Sequence, residues 1–337
     1  MADAAPLRFG LLGAARISDI AVIQPSRITG DRLVVIGARD QSRAAEYAQR
    51  HGIERAVEGY QAVIDDPEVD VVYNALANGH HGPWNLKAIE AGKHVLSEKP
   101  YASNAEEARR VRDAAAAAGV HVVEAFHYRY HPVQERMIEL AGSGEIGDVV
   151  YVEGRMLMPP PPAGDLRWDI ELAGGGLMDV GCYAVHGLRD LAPLLGGEPV
   201  VQGARVGEIP GHPDIDAWLT ADLTFPNGTP AHIECSMTHG VLDFSFRIVG
   251  SKGEAYAPAF VLPHTDDRVI VTIGTEQRIE ELGTRLSYTH MLEALRALIR
   301  NGTPMVTDAD DAVVTMQAID DIYAAAGMRL RPVCPID

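Results

Sequence analysis

Near the middle of the chain stand three residues whose types could move a proton. Asp179 and Tyr183 are four apart, so on a helix they share a face, and His186 lies three further along the same side. They follow Gly174-Gly175-Gly176, a run whose backbone can come close to a ligand or to another chain. An isolated tyrosine or histidine on a helix is ordinarily packed core. What points to chemistry is a carboxylate, a phenol and an imidazole clustered directly after a glycine run. A phenol titrates at about 10 and is a poor base at neutral pH, but a nearby ammonium favours the phenolate. The candidate ammonium is Lys99, in Ser97-Glu98-Lys99-Pro100. Pro100 keeps Lys99 out of the helical region, which aims it across a cleft. A Lys-Pro after a strand is by itself usually just a loop; an ammonium and a phenol brought together would make a workable proton relay, which neither makes singly. No metal is required, and adjacent His80 and His81 are not a good ligand spacing for one site.

A second group of residues could hold a nucleotide. Gly13-Ala14-Ala15-Arg16-Ile17-Ser18 lies at a strand-to-helix turn, with Gly13, Ala15 and Ser18 at the first, third and sixth places of the dinucleotide fingerprint. The bare pattern is weak, and its position after the first strand of an alternating domain strengthens it. Beyond the second strand come Arg39, Asp40, Ser42 and Arg43. Arg39 can stack on adenine and fork onto a 2′-phosphate with Ser42 and Arg43 in reach, which favours NADP. If Asp40 instead turns inward to the ribose, the cofactor is NAD.

Apolar runs at 7–12, 33–38, 69–75, 94–97 and 120–125 alternate with helix-like stretches at 42–51, 83–91 and 104–118, where Ser103 or Asn104 would cap the last. That alternation predicts a doubly wound parallel sheet over residues 1–125, an α/β Rossmann domain. From 126 to 337 the pattern changes. A helix at 132–141 precedes strand-like runs at 148–158, 218–225, 231–238, 244–249, 254–259 and 268–273. Short turns between them imply an open, mostly antiparallel sheet. Helical patterns at 288–300 and 308–326 close the chain, with Thr307 as the expected cap of the second. Residues 159–162 form a stiff polyproline loop or linker.

With 29 Lys and Arg against 47 Asp and Glu, the net charge of −18 repels phosphate backbones and argues against nucleic acid as a partner. No stretch nears the roughly 18 apolar residues of a membrane span. The first residues run into a strand with no signal-peptide pattern, and three cysteines read as free thiols in a reducing, cytoplasmic setting.

With these residues in view, the chain resembles the glucose–fructose oxidoreductase / inositol dehydrogenase / MocA family over nearly its whole length. The markers are Phe9-Gly10-Leu11-Leu12-Gly13-Ala14-Ala15-Arg16-Ile17, Ala38-Arg39-Asp40, Ala75-Leu76-Ala77-Asn78 with His81, Glu98-Lys99-Pro100, Glu124-Ala125-Phe126-His127-Tyr128-Arg129, and the stretch from Gly174 to Tyr183. The chain is most similar to the branch of trans-dihydrodiol dehydrogenases, NADP-dependent xylose dehydrogenases and keto-sugar reductases, which carries tyrosine at position 183. The resemblance implies a Rossmann domain, then an α/β domain whose sheet often forms oligomer contacts. It implies that Lys99 hydrogen-bonds the reacting oxygen and lowers the pKa of its partner, that Tyr183 gives or takes the proton, and that Asp179 orients Lys99 or binds substrate. It also implies a cofactor lined by Gly13, Ala15, Arg16, Ile17, Arg39, Ser42, Arg43, Ala75, Leu76, Asn78, His81, Glu98 and Lys99, with Arg129 near the cofactor and the cleft and Arg167 and Trp168 covering the nicotinamide end. Ala77, His80 and His186 depart from the pattern, and the last two could reshape the pocket where Lys99, Asp179, Tyr183 and His186 would meet substrate. The expected function is an NADP-dependent oxidoreductase for a sugar-like or cyclic polyol substrate. The alternatives are an NAD-dependent inositol or polyol dehydrogenase, and a nucleotide-sensing protein that has lost turnover.

Overall fold

A computed structural model describes residues 5–162 and 164–336. The chain forms two compact units: the first holds the chain up to Phe126 together with Tyr288–Met316 and the segment from Val333, and the second holds His127–Ser287 and Gln317–Pro332.

In the first unit, β1 (Arg8–Leu12), β2 (Arg32–Ala38), β3 (Arg55–Glu58), β4 (Val71–Asn74), β5 (His94–Ser97) and β6 (Val122–Glu124) pair in parallel in the order β3-β2-β1-β4-β5-β6. Phe9, Leu11, Val34, Ile36, Val71, Tyr73 and Val95 are fully buried, as strands covered on both faces require. The strand order reverses between β1 and β4, so the loops at the carboxyl ends of these strands flank the crevice where such sheets take ligands. Of the expected strands in this part, all form. The extra one, β3, is a four-residue edge strand of sequence Arg-Ala-Val-Glu, too short and polar to signal itself.

Helix Ser287–Asn301 returns to the first unit, which a division of the sequence at residue 125 does not anticipate. Its anchors are ionic: Arg296 donates to Thr29 O at 2.6 Å and pairs with Asp31 at 2.5 Å, and Arg300 pairs with Asp70 at 2.9 Å. The following helix, Ala309–Ala325, is capped by Asp308, whose Oδ1 accepts from the amides of Asp310 and Asp311 at 3.0 Å, and not by Thr307. Asp308 is the residue whose short carboxylate reaches the second and third amides of the helix. Asn104 caps Ala105–Ala118 through Glu107 N, and Glu107 answers by accepting from Ser103 N at 2.8 Å.

Among the described residues, the second unit has eight strands: β7 (Val149–Leu157), β8 (Val200–Ile209), β9 (His212–Thr224), β10 (Pro230–Ser236), β11 (Asp243–Gly250), β12 (Gly253–Ala257), β13 (Arg268–Ile273) and β14 (Glu276–Glu281). Their order is β14-β13-β12-β11-β7-β10-β9-β8, antiparallel except for β10 beside β7. Helices Pro132–Ser143 and Cys182–Arg189 pack on this sheet over a core that includes Val152, Met156, Ile233, Phe246 and Phe260. Among the described residues, no helix is long and apolar enough to cross a membrane.

Candidate active site

In the first unit the site begins at the turn after β1. Gly13 has φ +83, the left-handed region that favours glycine, and a Cβ there would press on the Leu76 side chain at 3.0 Å. The Gly13 amide donates to Gly37 O at 2.8 Å, which ties the turn to β2. Helix Gln41–His51 is latched to the same turn: Tyr47 Oη donates to Ala15 O at 2.8 Å and Arg43 Nη2 to Ala14 O at 3.1 Å. Ala15 and Ile17 are half-buried and Arg16 is exposed. The turn is thus a cradle without a side chain at its first place, which fits a dinucleotide pyrophosphate.

Beyond β2, Asp40 is the N-cap of this helix. Its Oδ1 accepts from Ser42 N at 2.8 Å and from Ser42 Oγ at 2.7 Å, and these bonds hold its carboxyl below the usual range. Asp40 thus holds the helix end through Oδ1, and the hydroxyl proton of Ser42 is turned to the same oxygen. Arg39 and Arg43 stand exposed on either side of the cap.

The loops after β4 and β5 are locked by buried polar groups. Asn74 Nδ2 donates to Asn85 Oδ1 at 2.9 Å and to His81 O at 3.1 Å, and Asn85 passes the chain on to Ser97 Oγ at 2.9 Å. His81 sits between two carbonyls, with Nδ1 2.6 Å from Pro100 O and Nε2 3.0 Å from Leu76 O. It therefore joins the loop bearing Leu76 and Asn78 to the loop bearing Lys99. The two carbonyls hold a proton on the ring, but burial outweighs them and pushes its pKa down to about 4. Unfolded, the ring titrates near 6.5, so between those values the folded state binds fewer protons. Stability conferred by neutral His81 is present above about 6.5 and is lost as pH falls towards 4, a change on the order of 3 kcal/mol. A His81→Gln variant should accordingly show a smaller drop in thermal midpoint than the parent between pH 6.5 and 4; an unchanged acid drop would refute this assignment.

Glu98, expected near cofactor, is buried and accepts from Tyr73 Oη at 2.8 Å; burial raises its pKa against the pull of Lys99 and Tyr73. Lys99 is half-buried, and its bond to Pro100 is cis.

In the second unit, the glycine run leads into a helical turn, Leu177–Gly181, and then into helix Cys182–Arg189. Asp179 and Tyr183 are 9% and 6% exposed. Arg167, from the turn Leu166–Trp168, donates through Nε to Asp179 Oδ2 at 2.7 Å and lies 3.1 Å from Asp165 Oδ2. Burial opposes the guanidinium's charge, but the two carboxylates win and raise its pKa. Arg167 thus grips one oxygen of Asp179. Trp168 is buried beside it.

His186 is buried, with Nδ1 2.6 Å from Tyr128 Oη. Arg129 pairs with Asp190 at 2.7 Å, and Gln134 reaches the other oxygen of Asp190 at 2.9 Å. Around Tyr183 stand His127 and Tyr128, with ring centroids at 6.0 and 5.9 Å, both edge-on. Sequence reasoning quoted His127 and Tyr128 only as part of a motif, and it missed Asp165, Asp190 and Ser287. Asp190, four residues after His186 on one helix face, carried a signal; Ser287, 160 residues from its partner His127, carried none.

The glycine run does not reach out towards open space. A Cβ on Gly175 (φ +124) would meet Asp216 Oδ1 at 2.1 Å and Arg331 Nη2 at 2.5 Å. Its freedom is used for packing on a buried ion pair. Asp216 accepts from Arg331 Nη2 at 2.6 Å, Tyr323 Oη at 3.0 Å and Leu177 N at 2.6 Å, and Arg331 Nε donates to Gly174 O at 2.6 Å. This cluster fixes the start of the segment that carries Asp179 and Tyr183. Among the described residues, no group of three or more His, Cys, Asp or Glu could hold a metal ion.

The strand order of the first unit and the side-chain-free turn after β1 define a dinucleotide-binding protein. Two family models match the chain: an oxidoreductase family with an NAD-binding Rossmann fold over residues 7–126, and the Gfo/Idh/MocA C-terminal domain over residues 135–256. The chain belongs to the Gfo/Idh/MocA family of oxidoreductases. It is 35% identical to D-xylose 1-dehydrogenase (NADP(+)) 2 of Haloferax volcanii over 95% of this chain and 97% of the relative. It is 33% identical to trans-1,2-dihydrobenzene-1,2-diol dehydrogenase of Mus musculus over 74% of each. Among solved structures it resembles a 3-ketoreductase from Actinomadura kijaniata in complex with NADP and TDP-benzene. The TM-score is 0.87 at 25% identity, over 95% of this chain and 98% of that one.

Proposed function

We propose that the protein is an NADP-linked oxidoreductase that interconverts a hydroxyl and a carbonyl on a sugar-like or cyclic polyol substrate. The observation that supports the cofactor choice is the bonding of Asp40 Oδ1 to the end of its own helix, with the exposed Arg39 and Arg43 on either side of it. A guanidinium fork suits a 2′-phosphate, whereas an available carboxylate would suit a ribose hydroxyl. The likeness to an NADP(+)-named xylose dehydrogenase supports the same choice and the substrate class.

A bound nicotinamide supplies the hydride acceptor or donor. The residues of this chain supply the rest. Tyr183 exchanges the proton of the reacting oxygen, and Lys99 lowers the phenol pKa and hydrogen-bonds that oxygen. Asp179, whose Oδ2 is held by Arg167, orients Lys99 or binds a substrate hydroxyl. His186, with its Nδ1 turned to Tyr128, acts on substrate through the shape of the pocket.

Steady-state assays over sugars, keto-sugars, inositols and dihydrodiols test this reading through reduced-nucleotide absorbance. Turnover with a polyhydroxylated substrate and a preference for NADP over NAD are expected. Preference for NAD would overturn the cofactor choice, and absence of turnover across the set would favour nucleotide sensing. Arg39→Ala should raise KM for NADP by about tenfold or more, the value of a charge-assisted hydrogen bond, and leave KM for NAD unchanged. Equal effects on both nucleotides would remove Arg39 from 2′-phosphate recognition.

A further inference from the structure

The ring of Tyr183 meets two consecutive aromatic residues of the turn His127–Tyr130, and their polar ends go different ways. Tyr128 directs its hydroxyl to His186 Nδ1 at 2.6 Å and lies 3.4 Å from Asp190 Oδ2. His127 instead turns its Nε2 to the Tyr183 hydroxyl at 3.5 Å, while its Nδ1 lies 2.7 Å from Ser287 Oγ. The imidazole is 1% exposed and Ser287 is fully buried, so water does not compete for these contacts. With both nitrogens engaged the ring has a fixed orientation, and because each partner is a hydroxyl, either tautomer can be served.

A tyrosine hydroxyl has one proton and two lone pairs, and its proton can lie on either side of the ring plane's axis. A contact on one side decides what the other side presents. The 3.5 Å separation is at the outer edge of a hydrogen bond, and bonds of this kind tighten when a reacting complex forms.

We propose that His127, held by Ser287, is a positioning residue for Tyr183, directing the phenol's proton and lone pairs for exchange with substrate. The inference rests on the reading of Tyr183 as the proton donor and acceptor. It adds a residue that acts through Tyr183.

The test compares His127→Leu, which removes the imidazole, with His127→Gln, whose terminal amide can reach the place of Nε2. In His127→Leu, kcat should fall about tenfold or more. KM and nucleotide affinity, the latter read from nucleotide fluorescence, should stay within about twofold. His127→Gln should recover most of the lost kcat. In a Tyr183→Phe background, His127→Leu should have no further effect, because the two side chains act as one unit. Should His127→Leu fail to fold, Ser287→Ala supplies the second variant, with a fall in kcat of at least about threefold at unchanged KM. Unchanged kcat in these variants, equal damage by Leu and Gln, or additive losses with Tyr183→Phe would overturn the proposal. Full activity in Tyr183→Phe alone would overturn the underlying reading; an inactive Tyr183→Phe beside a fully active His127→Leu would overturn this inference only.

Discussion

Tyr183→Phe is expected to lower turnover by about 10²- to 10⁴-fold, the usual worth of a positioned general acid or base. The substitution keeps the ring and its edge-on contacts with His127 and Tyr128, and it removes only the hydroxyl. Tyr183 is 6% exposed on a helix whose start is pinned by Asp216, so the variant should fold with the parent's thermal midpoint. Loss should therefore appear in kcat, with nucleotide affinity held. The measurement is a kcat and KM pair for the best substrate of the screen, beside a fluorescence titration of the nucleotide. A full-rate Tyr183→Phe enzyme would remove the phenol from the chemistry.

Asp216→Ala is expected to destabilise the second unit by about 3–5 kcal/mol, the effect of stripping one partner from a buried ion pair. Asp216 and Arg331 are both fully buried, and Asp216 also receives Tyr323 Oη and Leu177 N. Removing the carboxylate strands a guanidinium, a phenol and an amide together. Stacking of Arg331 over Tyr323, 4.0 Å from the ring centre, cannot replace the lost acceptor. The thermal midpoint should fall on the order of 10 °C. A shift of a degree or less would mean that water reaches the site and that the pair is not the support it looks to be.

Much of the architecture was legible because the residues that make it are local. Alternating apolar runs and helix stops mark the parallel sheet, and the turn signals Pro226-Asn227-Gly228 and Gly250-Ser251-Lys252-Gly253 mark hairpins of the second sheet. Three strands were not legible. β3 and β14 are short or highly charged edges, and β8 is interrupted by glycines, so each depends on pairing with a neighbour and not on its own pattern. The cap at Asp308 in place of Thr307 is a shift of one residue that only the amide positions decide.

For the site, chain order alone singled out as candidates the turn at Gly13, the arginines at 39 and 43, the lysine at 99 and the Asp179–Tyr183 pair, because each lies within a few residues of a strand end or of the glycine run. Partnerships across the chain were out of its reach. Whether Asp40 bonded its own helix, what Gly175 packs against, and which histidine meets Tyr183 all turn on contacts between segments 41 to 160 residues apart, such as Gly175 with Asp216 and His127 with Ser287, or on a side chain's choice between two nearby donors. Those choices depend on burial, where an unpaired polar group is costly, and burial exists only once the chain has folded.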